Sequence, residues 1–391
     1  MGTARVPSSW TLYGTFVLTG MVNTVLGPVL PWLGTRWDLS DRGAGALFSA
    51  EFAGGLLAGV ASGWLTTRFG TGRVMSVGAL LMAAGMTAAI APLPAVAVGM
   101  FVAGLGLGCV IPPMNLLVVR ITPHRASAAL ARLNLAWGSG AMGWPIAVAL
   151  IQPLFGVASS LVLLAGCLVA ASVYLDRVPE VPPPAEVRPE SRTTTNVATA
   201  ALLGLLIVLY TGIETGIGGW VTEYARRITE RGAASASQVP AAMFWAGVTL
   251  GRAAIALGLP DRRAPHALFG GLALAAVSLP WMLLASGGRS LAIATFCVGL
   301  GLAPVFPVTI AAVARYCPPR VAAALIALAG LGGATVPWLV GVVSDASGSL
   351  GSGLLTLLGL VVVLIAGHAV RVARDRRSPG SGSDRSRMPG W

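Results

Sequence analysis

Glu214 lies in Tyr210-Thr-Gly-Ile-Glu214-Thr-Gly-Ile-Gly-Gly-Trp220-Val-Thr-Glu-Tyr224, which closes an apolar run starting near Val197. No other charge occurs in that run before Glu223. About 20 apolar residues rising ~1.5 Å each cross a ~30 Å hydrocarbon core, so the run has the length of a bilayer-spanning helix. A carboxylate at such depth costs roughly 2.5–3.5 kcal/mol on insertion scales, and by default it marks a pathway, a proton relay or a paired site. By helical rise Glu214 stands ~25 Å beyond the start of the run, in the outer part of the bilayer. Thr211, Thr215 and Gly218 share its face, and no arginine is evidently placed to pair with it. Such a carboxyl group can hold a proton when sealed from water and release it when wetted. Glu51 is the other acid deep in an apolar run; its face carries Gly55, Ala58 and Ser62, so helix packing or gating competes with a proton role.

Polar and aromatic groups of a second kind are scattered through similar runs. Asn23, Asn115, Asn134, Thr249 and Thr309 suit the hydroxyl or amide groups of a neutral solute, or serve as hydrogen bonds between helices. Trp137, Trp220, Trp245 and Trp338 offer flat walls for a ring. Arg132 and Arg252 fall near the ends of their runs, where snorkelling to headgroups or ion pairs of a gate would place them. No nucleophile–base pair, metal-ligand spacing or phosphate-binding loop rises above background, which argues against an enzyme.

The elements that must position these groups follow from composition. Of 391 residues 55% are hydrophobic and 10% charged, against about 25% charged in soluble domains, so the chain is an all-α integral membrane protein. Its positive charge is all arginine, 26 residues scattered singly between apolar runs, which excludes a nucleic-acid surface. Cys109, Cys167, Cys297 and Cys317 form no metal-ligand spacing and read as small hydrophobes. No cofactor is expected.

Twelve apolar runs are expected near residues 10–33, 44–66, 74–91, 95–118, 127–151, 155–175, 198–222, 239–258, 266–285, 290–313, 321–343 and 353–370. They divide into a six-helix half at 1–175, a polar linker at 176–196, a second six-helix half at 197–370 and a disordered tail at 371–391. With the N-terminus inside, one face collects 20 arginines and the other 6, so both termini are expected in the cytoplasm of a plasma (inner) membrane. A shift of 192 residues lays Phe52, Gly55 and Gly59 on Phe244, Gly247 and Gly251, and Gly138, Gly140 and Pro145 on Gly330, Gly332 and Pro337. Two parallel repeats put a substrate site at their interface near the midplane.

Two six-helix repeats with a central linker resemble the major facilitator superfamily. Its signature after the second helix is matched by Gly63-Trp-Leu-Thr-Thr67-Arg68-Phe69-Gly70-Thr-Gly-Arg73, with Thr67 where the superfamily has an aspartate that latches the cytoplasmic gate. Tyr210-x-Gly212-x-Glu214-x-x-x-Gly218-x-Trp220-x-x-x-Tyr224 and Phe244-Trp245-Ala-Gly247-Val-Thr249-Leu-Gly251-Arg252 are similar to the seventh and eighth helices of the fucose–galactose–glucose:proton symporter family. The carboxylates of its first and fourth helices have Gly27 and Ile111 as their nearest positions here. The resemblance implies a cavity lined by the first, fourth, seventh and tenth helices, with Asn23, Asn115, Asn134, Tyr210, Trp220, Trp245 and Thr309 on the substrate. From their placement in or beside the runs, Glu214 and Glu51 are the expected proton-coupling acids, and Arg68, Arg73, Arg132, Arg252 and Asp261 the expected gate residues. The expected activity is proton-coupled transport of a small, largely neutral, sugar-like solute by a monomer. Alternatives are an exporter exchanging drugs or metabolites for protons, and a transport-silent sensor on the same fold.

Overall fold

The computed structural model describes residues 9–179, 196–229, 235–258 and 263–377. Among them every regular element is helical. The first span is broken into α1 (Ser9–Asn23) and α2 (Leu26–Trp37). It is followed by α3 (Asp41–Phe69), α4 (Thr71–Ala88), α5 (Leu93–Ile121), α6 (Ala126–Phe155) and α7 (Val157–Leu175). The second half holds α8 (Val197–Ile228), α9 (Val239–Gly258) and α10 (Ala264–Leu284). Its tenth span is again broken, into α11 (Gly288–Leu302) and α12 (Val305–Tyr316), before α13 (Pro319–Ser347) and α14 (Leu350–Arg377). Ten of these spans are long and apolar enough to cross a membrane on length and composition alone. The more polar α4 and α6 complete the twelve, α4 packed on α5 and α7, α6 on α1 and α9.

Local chemistry sets the helix starts. Ser40 Oγ accepts from the Gly43 N–H at 3.2 Å to open α3, and Asn196 Oδ1 accepts from the N–H groups of Ala198 and Thr199 at 3.0 and 3.3 Å to open α8. The expected tail is corrected at its start: α14 runs on to Arg377 and buries Arg371. Most of the expected linker, residues 180–195, lies outside the described residues.

The halves meet along α3 against α13, α6 against α9, and α2 against α8. The α3–α13 seam is tight at one end only. At the face opposite the chain ends, hereafter the far face, a Cβ at Gly341 would lie 2.2 Å from Asp41 O, and one at Gly45 2.8 Å from Trp338 Cα. Only glycine allows backbones that close. Halfway along, Ser49 Oγ donates to Ala334 O at 2.6 Å. Further on, the nearest atom to a Cβ at Gly330 is Leu56 Cβ at 3.7 Å, and nothing stands within 4 Å of Gly59 or Gly63. The two helices therefore part towards the face that carries the chain ends.

Candidate functional site

Between the halves lies a cavity with an empty volume of ≈ 450 Å³, its open mouth included. The break after α1 supplies Asn23 and Thr24, α3 supplies Phe48 and Phe52, and α6 and α9 supply Trp137 and Trp245. From α8 come Thr211, Glu214 and Thr215. The two tryptophans meet edge to face, 5.6 Å between centroids at 81°. Beside them α2 and α8 touch through backbone: a Cβ on Gly27 would stand 2.4 Å from Gly218 O. Gly27, the position nearest a family carboxylate, is thus a packing glycine. Gly27→Val should force α2 from α8 at a cost of about 1–3 kcal/mol, the usual range for overpacking. The expected readout is a rise in far-face labelling of a cavity cysteine; unchanged labelling would mean the contact does not hold that face shut.

The expectation that Glu214 stands without an arginine is overturned. Glu214 Oε1 accepts from Tyr210 OH at 2.7 Å and from Arg252 Nη2 at 2.6 Å, and that same Nη2 reaches Tyr210 OH at 2.6 Å. Arg252 does not lie at a gate or at the headgroups; its side chain is 20% exposed and lies over the Phe306 ring, 5.6 Å from the centroid. Glu214 is also central rather than outer, since α8 continues for 14 residues beyond it to Ile228, against 17 from Val197. Oε2 takes no donor among the described residues and is the oxygen left for the cavity. Breaking one side of such a pair leaves a buried uncompensated charge.

Glu51 contrasts with it. The residue is 2% exposed, and its Oε1 is buried with no partner among the described residues. Asn23, by contrast, lines the cavity.

The remaining expected site residues divide. Trp245 and Asn23 line the cavity. Tyr210 is buried behind it as the donor to Glu214, and Trp220 is buried with Nε1 on Pro337 O at 3.0 Å and its ring 6.3 Å from that of Phe48. Asn115 and Asn134 turn their amides onto carbonyls of their own helices, Ile111 O and Leu130 O, both at 2.9 Å. Thr309 is bonded to Val305 O at 2.6 Å, with His368 Nε2 at 3.5 Å. None of these three is among the residues lining the cavity.

Of the gate residues, Arg68 stacks over Phe69 at 5.7 Å, Arg132 Nε reaches Ala128 O at 3.4 Å, and Arg73 is exposed. These three make no salt bridge among the described residues, and Asp261 lies outside them. Thr67 Oγ1 is bonded to Trp64 O of its own helix at 2.7 Å.

Sequence reasoning missed a network at the far face. Arg227 of α8 donates Nη1 to Asp41 Oδ2 of α3 at 2.9 Å, Nη2 to Asp41 Oδ1, and Nε to Glu223 Oε1 at 2.7 Å. Ser344 Oγ of α13 donates to the same Asp41, while the Asp345 carboxylate accepts from the N–H groups of Asp41 and Arg42 at 2.9 and 3.0 Å. The one available signal was charge at the starts and ends of spans that neighbour one another.

Two six-helix halves that enclose a cavity with a buried ion pair, joined at one face and parted at the other, are the build of a secondary transporter. The sequence matches the Major Facilitator Superfamily across residues 12–342, and the chain belongs to that family. Its fold is similar to that of a bacterial homologue of the human lysosomal transporter Spinster in an inward-facing, occupied conformation, with TM-score 0.77 at 14% identity over 94% of this chain and 97% of that one. A single-site variant of the Escherichia coli fucose:proton symporter FucP gives TM-score 0.61 at 20% identity over 92% and 97%. In sequence the chain is 30% identical over 150 residues to the 4-hydroxybenzoate transporter PcaK of Pseudomonas putida, which spans 37% of this chain and 33% of that protein.

Proposed function

We propose that this transporter is proton-coupled, sits in the plasma membrane with both termini in the cytoplasm, and moves a small, largely neutral organic solute through the central cavity as a monomer. The observation that carries it is an acid buried without a counter-cation among the described residues, Glu51, whose Oε1 has no partner. An ionisable group at such depth without a paired cation is by default part of a proton relay or pathway. Glu214 supplies the second acid, paired with Arg252, with Oε2 and the hydroxyls of Thr211 and Thr215 facing the solute.

The orientation rests on arginine. Moving Arg252 from the face count to the interior leaves 20 − 1 = 19 against 6, so the asymmetry stands. The cavity then opens to the cytoplasm in this conformation. The alternative, an exporter exchanging its cargo for protons, is favoured by the rings of Phe48, Phe52, Trp137 and Trp245 in the lining and by the partial likeness to an aromatic-acid transporter.

A thermal-shift screen of the purified protein against sugars, polyols, aromatic acids and cationic dyes tests the site, because a ligand at 100 Kd stabilises by about 2.7 kcal/mol. Trp245→Ala should weaken a hit by about 0.5–1.5 kcal/mol if that ring stacks on it. In proteoliposomes the hit should acidify or alkalinise the lumen, and Glu51→Gln should keep solute exchange while losing the proton signal. Normal proton movement in Glu51→Gln would remove that residue from the mechanism.

A further inference from the structure

We propose that the gap widening between α3 and α13 holds an anionic phospholipid from the leaflet at the face that carries the chain ends. One acyl chain lies between the two helices, and the phosphate sits on Arg68.

The line of α3 that faces α13 runs through Gly45, Ser49, Phe52 and Leu56. At helical spacing it continues through Gly59 and Gly63. No atom stands within 4 Å of a Cβ at either glycine, so the floor of the gap carries no side chain. Its edges are apolar and exposed, with Val60 on α3 and Ile326 and Leu331 on α13. From Gly59 to Phe69 the helix rises ~15 Å, the depth of one leaflet of a ~30 Å hydrocarbon core. An acyl chain laid in the gap therefore brings its headgroup to the last turn of α3.

That turn is built for the interface. Trp64 meets Phe69 edge to face at 6.2 Å, Arg68 lies over the Phe69 ring, and all three are exposed. The rim is also one-signed. Arg73 near the start of α4, Arg120 near the end of α5 and Arg320 near the start of α13 share the face of Arg68. From Phe52 to Phe69 α3 carries no acid, α4 and α5 carry none, and the one acid of α13, Asp345, lies near the far face. Thr67 is neutral, with its hydroxyl already on Trp64 O. A zwitterionic headgroup brings a cation of its own to this rim; phosphatidylglycerol brings only negative charge, which each arginine near the surface attracts. Lodged there, the lipid occupies space that vanishes when α3 and α13 close, so it favours the parted arrangement.

Contact quenching tests the proposal on the full-length protein in phosphatidylcholine vesicles, its native cysteines replaced by alanine and a bimane label placed on a cysteine at Val60. Lipids with brominated acyl chains quench the label where they touch it. Brominated phosphatidylglycerol should reach half quenching at an about fivefold lower mole fraction than brominated phosphatidylcholine. A label at Val162, exposed on α7 where that helix packs on α4 and α6, should not distinguish the two lipids. Arg68→Gln should remove the preference at Val60, and so should Thr67→Asp, which places a carboxylate at the rim. Gly63→Leu puts a side chain on the floor of the gap and should lower quenching by both lipids. Glycerol phosphate in solution should leave quenching unchanged. Equal quenching by the two lipids at Val60, the same preference at Val162, or a preference kept in both Arg68→Gln and Thr67→Asp would each overturn the proposal. Quenching indifferent to Gly63→Leu would overturn it too, as would displacement of the lipid by glycerol phosphate.

Discussion

Replacing Arg252 by methionine is expected to destabilise the bundle by about 3–5 kcal/mol, the range for removing one partner of a buried ion pair. The guanidinium carries one Nη2 contact to Glu214 Oε1 and one to Tyr210 OH, both at 2.6 Å, and its plane rests near Phe306. Methionine keeps much of the volume but leaves the carboxylate of Glu214 with a single hydroxyl donor. The deficit belongs to the orphaned charge, so it should be relieved from the other side. Arg252→Met with Glu214→Gln removes both charges and is expected to recover most of the loss, although transport should not return. Denaturation of the four proteins of this cycle in one detergent measures it. A single Arg252 variant as stable as the parent, or a double variant no better than the single, would show that the pair is not what holds α8 to α9.

Asp41→Ala is expected to open the far face. The side chain accepts both terminal nitrogens of Arg227 and the Ser344 hydroxyl, and so ties α3 of one half to α8 and α13 of the other. Charge-assisted bonds of this kind contribute about 1.5–3 kcal/mol each in buried settings. Arg227 is 37% exposed, so solvent screening reduces the total to about 2 kcal/mol. At 1.4 kcal/mol per tenfold, the closed-to-open ratio should fall roughly 30-fold. A cysteine at Thr215, in a background free of the other four, should then react faster with a membrane-impermeant thiol reagent added at the far face. Exchanging the charges, Asp41→Arg with Arg227→Asp, should slow the reaction again, and added salt should speed it in the parent. Indifference to both changes would place the closure elsewhere, in the Gly341 and Gly45 contacts.

The fold was legible because spanning a bilayer leaves few solutions: every apolar run had to be a helix, and the arginines marked where each one ended. The 192-residue offset carried through Gly55 and Gly247, and through Gly138 and Gly330, told which spans correspond. At the site, chemistry was legible and partnership was not. Glu214, Glu51, Asn23 and Trp245 stand out by type in apolar surroundings. Arg252 does too, but six residues from the end of α9 it looked able to reach the headgroups. Whether an arginine snorkels outwards or turns inwards depends on how α9 is rotated against α8, which no spacing within α9 encodes. The same rotation decided Asn115, Asn134 and Thr309. Each was expected on the substrate, Asn115 and Thr309 from spans expected to line the cavity and Asn134 from the fifth, yet each satisfies its polar group on a carbonyl four residues back, a local bond always within reach in a helix. The Asp41 network escaped because its members come from three distant stretches of chain.

The one-ended seam between α3 and α13 has a consequence for measurement. A solute offered at the parted face meets the binding-competent arrangement already dominant. From the far side it finds only the minority arrangement, so its half-saturation concentration is raised by the inverse of that population. Right-side-out and everted vesicles of the same preparation therefore differ in apparent affinity. They do not differ in the solute ratio finally reached, because skewed occupancy of two carrier states alters the approach to equilibrium and leaves its position to the driving gradients.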